Sequence, residues 1–259
     1  TGPCGPDTEM FYWASNEKAP KKFNPKDSRW FEIWNDVFME YNKNKNGKYE
    51  LLKQKNVDTG MGVERTTAVL QGKKSIYETE LFSAILDKIK EISDIKNMNE
   101  NKLRSIRIIA DHLRAATFIL GDEKRITPSN VERGYVLRRL IRKSIRHGKL
   151  IGIENNFTFE VAKSIVNIYK DEYNELEKYK KFIFEELDKE EDKFRNTLDK
   201  GTKRFDEIIK NLKTKTILGI DAFHLYDTYG FPIELTKELA IEKGLKIDEN
   251  KFNLEFKKH

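Results

Sequence analysis

Apolar residues recur along this chain with two different periods. Residues 30–41 are aromatic and β-branched over a strand's length, residues 49–57 lean to β-structure, and the Asn/Gly-rich residues 42–47 between them predict a turn. An antiparallel hairpin is the consequence. Ahead of it, residues 1–12 begin with glycine and proline punctuation and become extended, and the polar, basic residues 18–26 with two prolines read as an exposed connection. At Gly60 and Gly62 the period changes. Val63, Thr67 and Leu70 stand at i, i+4 and i+7, which predicts a strand, a tight glycine turn and a helix start.

Beyond that junction the pattern is helical. Leu81, Ile85, Ile89 and Ile92 mark one amphipathic helix, and Ile106, Ile109, Leu113, Ala116 and Leu120 mark a buried face on the next. Ser129-Asn-Val-Glu fits a capping box, with Ser129 accepting from the first free N–H groups and Glu132 reaching back. In the helix that follows, Leu137, Ile141 and Ile145 lie on one face and Arg138, Arg142 and Arg146 on another, so apolar and charged positions are expected to be segregated. Residues 157–169 predict a further helix. Residues 173–212 predict two long helices or one helix kinked at Gly201, and their Lys/Glu alternation reads as a solvated face. A short element at 221–229, a break at Gly230-Phe-Pro and a last helix at 232–243 complete the pattern. The fold class expected is α+β, with the polar connector at 94–102 separating a sheet-bearing domain, 1–95, from a helical domain, 96–259.

Composition narrows the class. With 259 residues, 38% hydrophobic, 16 Phe and 10 Tyr, the chain can bury a full core although 36% of it is charged. No apolar run approaches the roughly 20 residues of a membrane span, so no membrane is expected. The single cysteine allows no internal disulfide and no cysteine cluster for a metal, and a cytoplasmic location is expected. The net charge of +6 is concentrated. Between residues 104 and 149 twelve Lys/Arg face four acids, an excess of eight, so the rest of the chain is net negative by two. A basic face of that kind is the electrostatic footprint of a polyanion partner.

The motifs carry a resemblance. Val57-Asp-Thr-Gly-Met-Gly-Val-Glu-Arg resembles motif 3 of the class II aminoacyl-tRNA synthetases, in the form carried by the alanyl-tRNA synthetase family. Thr1-Gly-Pro-Cys-Gly-Pro is similar to a loop of the same family, with Asp7-Thr8 where many members have Cys-Ser, and Glu32-Ile-Trp-Asn and Phe38-Met-Glu-Tyr-Asn continue the match. Arg107-Ile-Ile-Ala-Asp-His-Leu-Arg-Ala-Ala, the run from Pro128 to Lys143 and Leu225-Tyr-Asp-Thr-Tyr-Gly-Phe-Pro resemble the family's tRNA-recognition domain. Nothing here resembles motif 1 or motif 2, and Thr1 is not methionine. The resemblance therefore implies a fragment holding part of a catalytic domain and most of a tRNA-reading one.

By that resemblance, Arg65 is the catalytic motif 3 arginine that grips the ATP phosphates, with Gly62 beside the nucleotide. A planar guanidinium suits a triphosphate better than lysine would. Asp58 holds the ammonium of alanine, Asn35 lies on the amino-acid side, and Gly60 leaves space for a methyl-sized substrate. Asn130 and Asp227 read the G·U pair of the tRNA(Ala) acceptor stem, and Arg133, Arg138 and Arg139 contact its phosphates. The implied activity is that of an alanine--tRNA ligase using ATP and Mg²⁺, with the fragment itself inactive; no metal ligands are assigned, and the zinc site of the family's editing domain has no counterpart here. Without the resemblance, Asp58 reads as a turn cap, Arg65 as a partner of Glu64 or Glu32, Asn130 as a helix cap and Asp227 as a turn residue. His112 and His147 then read as packing or phosphate-facing residues. A non-catalytic module that binds acceptor stems is the alternative function.

Overall fold

The computed structural model describes residues 1–93 and 95–258; Asp94, where the predicted connector begins, lies outside the described residues. The chain divides into two compact units, Thr1–Ala84 and Ile85–His259. The fold is α+β.

The first unit is built on an antiparallel sheet whose central strand is β3 (Trp30–Lys43). Along one edge of it lie β1 (Gly2–Cys4), opposite residues 41–43, and β2 (Asp7–Trp13), opposite residues 30–37. Along the other lies β4 (Tyr49–Met61), joined to β3 by the predicted turn, where Gly47 has φ +80°. The Gly-Pro loop between β1 and β2 presses directly on β3. Phe38 donates its N–H to the Pro6 carbonyl at 2.9 Å, and a side chain on Gly5 would collide with the Phe38 carbonyl, so only glycine fits there.

The strand runs further than its pattern predicts. Asp58, Thr59, Gly60 and Met61 all belong to β4, and the bend falls at Gly62, which caps α1 (Val63–Leu70). The Gly62 N–H is therefore not bare; it donates to the carbonyl of Ile33 at 3.2 Å. None of the residues of β1–β4 is fully buried, and Met10, Trp34, Phe38, Val57 and Met61 are all more than a third exposed or at that limit. A sheet normally buries one face against a second layer, and within this unit α1 packs on β3 without burying any strand residue completely.

The second unit holds the core. After α2 (Glu80–Ile92), the long α3 (Glu100–Gly121) packs along α4 (Glu132–Leu150) through Ile106, Ile109, Leu113 and Leu120 on one side and Leu137, Ile141 and Ile145 on the other, all fully buried. Next come α5 (Thr158–Tyr169), the short α6 (Asn174–Lys178) and α7 (Lys180–Lys210). Buried Glu191 of α7 accepts from the Phe157 and Thr158 N–H groups, at 3.1 and 2.8 Å, at the free N-terminus of α5. The chain then forms α8 (Gly219–Tyr229), α9 (Ile233–Glu242) and α10 (Glu249–Lys258), with the two-residue strands β5 (Thr216–Ile217) and β6 (Lys246–Ile247) paired in parallel.

Three local expectations are corrected. The helical stretch in 173–212 breaks at Tyr179 and is then continuous through Gly201, where the missing side chain leaves a notch that receives the buried ring of Phe231. The capping box does not form: Val131 stands at the N-cap, and Ser129 is used within the loop, donating its hydroxyl to the Val131 carbonyl and its N–H to the Gly134 carbonyl, both at 3.0 Å. Glu132, with φ +48°, turns the chain sharply there, and a side chain at Gly134 would collide with Ser129. Finally, Arg142 and Arg146 are not on a solvated face; they are 4% and 6% exposed.

Gly201→Ala tests the notch. Better helix propensity favours alanine by about 1 kcal/mol, whereas overpacking a filled site costs about 1–3 kcal/mol, so the new methyl group should lower the stability measured by urea unfolding. A rise in stability would mean that Phe231 does not fill the notch.

Candidate functional site

The residues singled out by the sequence fall in three places: one face of the sheet, a cavity beside α1, and a cavity of the helical unit that takes in Asn130, Arg138 and Asp227 but neither Arg133 nor Arg139. In the first unit, Asn35 pairs with Gly60 and Val37 with Asp58 across the β3/β4 ladder. Directly opposed residues share a face, and so do residues two apart on one strand. Asn35, Asp58 and Gly60 therefore lie on one face of the sheet. Nothing stands within 4 Å of where a Gly60 side chain would begin, so that face is open above it.

Arg65, in the first turn of α1, is docked on β3. Its guanidinium donates to the Glu32 carbonyl at 3.1 Å and lies 3.4 Å from the Glu32 carboxylate. One of the partners expected without the resemblance is thus present, and Arg65 is still about half exposed. It lines a cavity of about 340 Å³ with Phe11, Trp30, Phe31, Glu32 and Ile76; Asn35, Asp58 and Gly60 are not among its walls.

In the second unit, Asn130, Arg138 and Asp227 come together on a cavity of about 190 Å³. Each arrives by a different route. Asn130 sits in the loop before α4, where its side-chain oxygen accepts from Arg138 instead of capping the helix. Arg138 is in the second turn of α4. Asp227 is in the last turn of α8, which ends at Gly230 with φ +65°. Lys193 and Thr197 of α7 and Tyr226 of α8 are also on the wall, beside Arg142 and residues 228–230, and sequence reasoning did not single them out. Lys193 is exposed, on a helix whose Lys/Glu alternation looks the same on every solvated face.

Half of the twelve cations of the basic segment are paired with carboxylates of other helices. Arg142 binds Glu190 at 2.5 Å, Arg146 binds Glu242 at 2.6 Å, Arg139 binds Glu234 at 3.2 Å and Arg138 lies 3.5 Å from Glu190. Lys143 pairs with Glu238 and Lys149 with Asp199. Glu234, Glu238 and Glu242 are spaced one turn apart on α9 and meet α4 as a ladder, at whose end Tyr135 donates to Glu234 at 2.7 Å. The Tyr135 phenol is held above its ordinary pKa, first by burial and then by that bond. Arg133 is exposed and has no ion pair among the described residues.

His147 is a packing residue. It is buried, its Nδ1 lies 3.0 Å from the Ser105 hydroxyl, and its pKa is pushed down to about 3, first by burial and then by Arg146. It is therefore neutral at ordinary pH. His112 lies 3.4 Å from Asp111. Among the described residues no three His, Cys, Asp or Glu side chains are placed to hold a metal ion, and no helix is long and apolar enough to cross a membrane.

An antiparallel sheet closed by a glycine-flanked arginine helix, followed by a helical unit, agrees with the whole-chain comparison. Residues 1–259 match the family model described as "tRNA synthetases class II (A)", and the chain belongs to that family. Its relatives narrow this further. The chain is 52% identical over 261 residues to the alanine--tRNA ligase of Borreliella afzelii (strain PKo), covering 100% of this chain and 44% of that protein. It is 46% identical over 265 residues to that of Treponema pallidum (strain Nichols), with the same two coverages. Against the alanine--tRNA ligase of Buchnera aphidicola subsp. Schizaphis graminum (strain Sg) it is 45% identical over 98% of this chain and 28% of the relative. The chain thus spans less than half the length of these relatives.

Pairing of the basic segment sets an expectation for salt. Should the chain bind an RNA duplex, the affinity is expected to fall with salt as for about two to four phosphates, at roughly 0.7–0.9 of log-log slope per phosphate. A slope corresponding to eight or more would mean that the pairs with α7 and α9 open on binding.

Proposed function

We propose that this chain is part of an alanine--tRNA ligase, which activates alanine with ATP and transfers it to tRNA(Ala), and that the helical unit reads the G·U pair of the acceptor stem. The observation that carries the second half is the convergence of Asn130 and Asp227, far apart in sequence, on one small cavity beside Arg138. A G·U pair presents base edges shifted from those of a Watson–Crick pair, and an amide with a carboxylate can test a donor and an acceptor on it at once. Arg133, Arg138 and Arg139 hold the neighbouring phosphates. Arg138 and Arg139 do so from within pairs to Asn130 and Glu234 that set their direction.

On the sheet, Asp58 takes the alanine ammonium, Asn35 the other side of the amino acid, and the open face at Gly60 the methyl group. Arg65 and Gly62 face the nucleotide, Arg65 exchanging its contact with Glu32 for ATP phosphate, where a forked, permanently charged donor stabilises charge as it develops. Mg²⁺ accompanies the ATP; the described residues offer no cluster of their own for it. None of the residues of the strands that carry these groups is fully buried, which supports the view that these residues need further strands for catalysis. The same observation favours the alternative of a non-catalytic acceptor-stem-binding module.

Replacing Asn130 or Asp227 by alanine should cost about 1–3 kcal/mol of binding to a G·U stem and little on a G·C stem. Equal losses on both stems would refute base reading. Alanine-dependent ATP/pyrophosphate exchange should be absent from these 259 residues and present in a longer protein that supplies motif 1 and the motif 2 arginine. Exchange by the 259 residues alone would overturn the first expectation, and no exchange by the longer protein would favour the binding module.

A further inference from the structure

The two candidate base-reading residues share one support, Glu190 of α7, which is 5% exposed. Its Oε1 accepts from Nε of Arg142 at 2.5 Å and lies 3.5 Å from the buried Nε of Arg138, a charge contact and not a hydrogen bond. A carboxylate at that depth is tolerable only with cationic partners. Here there are two, and each reaches on to one side of the cavity.

Arg138 uses a second nitrogen to donate to the side-chain oxygen of Asn130. A guanidinium has donors only, so the Asn130 amide must turn its oxygen inward, and what remains for a ligand is its N–H₂ group. Arg142 uses a second nitrogen to donate to the Gly230 carbonyl, immediately after the last turn of α8 in which Asp227 sits. Gly230 is in the left-handed region, and a side chain there would collide with the Arg142 guanidinium, so this junction is closed to other residues. The Arg142 guanidinium also lies over the Phe194 ring, 4.9 Å from its centroid, which leaves it little freedom.

From this chain of contacts we infer that Glu190 is a positioning residue for wobble-pair recognition: through Arg138 it fixes the donor of Asn130, and through Arg142 it fixes the helix end that presents Asp227. The inference rests on the base-reading roles of Asn130 and Asp227 proposed above. It makes the spacing between donor and acceptor a property of one buried carboxylate on α7.

The test measures binding of the 259-residue chain to two acceptor-stem duplexes, differing only in G·U or G·C at the discriminating pair, at one fixed salt. Glu190→Gln keeps the size of the side chain and removes its charge. For the folded variant, checked by thermal unfolding, the preference for G·U should fall about tenfold, the range of one good base contact, while binding to the G·C stem changes by less than about twofold. A residue that only stabilised the fold would lower both affinities together and leave the ratio alone. A second variant, Arg142→Met with Glu190→Leu, replaces the buried pair by apolar groups of similar volume, a change that buried ion pairs often tolerate. It should lose the preference too. A folded variant of either kind that keeps the unsubstituted ratio overturns the inference. Asn130→Ala and Asp227→Ala in the same series separate the two levels: if both keep the ratio, or the unsubstituted chain binds both stems equally, base reading itself fails and Glu190 falls with it.

Discussion

Helix α4 has to bury one side against α3 while carrying arginine or lysine at 133, 138, 139, 142, 143, 146 and 149, and the ion pairs that α7 and α9 offer to it are the interaction on which the larger unit depends. These pairs are not equivalent. Lys143–Glu238 and Lys149–Asp199 are partly or well exposed, where a pair contributes about 0–1 kcal/mol. Arg142–Glu190 is buried on both sides, and removing one partner of such a pair typically costs about 3–5 kcal/mol. Charge therefore directs the packing of α7 and α8 around α4, and the cavity that Asn130 and Asp227 share is a product of that packing. What looks in the sequence like a surface prepared for a polyanion is first an internal scaffold, with only part of its charge left for a ligand.

The two units express opposite physical situations. The helical unit has a closed apolar core running from Ile106 to Phe231 and can set side chains by packing. The sheet unit sets its groups by backbone register alone: Asn35 faces Gly60, and Asp58 stands two residues along on the same face, because the ladder allows no other arrangement. Register is a strong constraint, since a slip of one residue would turn every side chain to the other face. It is enough to align the groups proposed to hold alanine, and it does not supply the second wall that a small-molecule site needs.

Local signals in the sequence were the most legible. The Asn/Gly turn at 42–47, the helix starting at Val63 and the apolar faces of α3 and α4 are written in neighbouring residues, and the structure has all of them. The capping box failed because Ser129 and Glu132 make a correct string in the wrong backbone: Glu132 turns left-handed, and the Ser129 hydroxyl is consumed in the loop. The packing role of Gly201 was not legible because the ring that fills its notch, Phe231, comes thirty residues later. The burial of Arg142 and Arg146 was invisible for the same reason, since their carboxylates lie on α7 and α9. Of the candidate sites, the residue types were legible from the motifs, whereas Lys193, Thr197 and the support from Glu190 come from a helix whose sequence reads as solvated.

The central claim is that Asn130 and Asp227 act as one reader. A double-mutant cycle on the G·U acceptor stem tests it most directly, with Asn130→Ala, Asp227→Ala and the double variant measured at one salt. A shared base pair predicts a coupling of about 1 kcal/mol or more, because losing one contact weakens the other, and no coupling on the G·C stem. Additive losses within about 0.3–0.5 kcal/mol on the G·U stem, the behaviour of independent sites, would contradict the account.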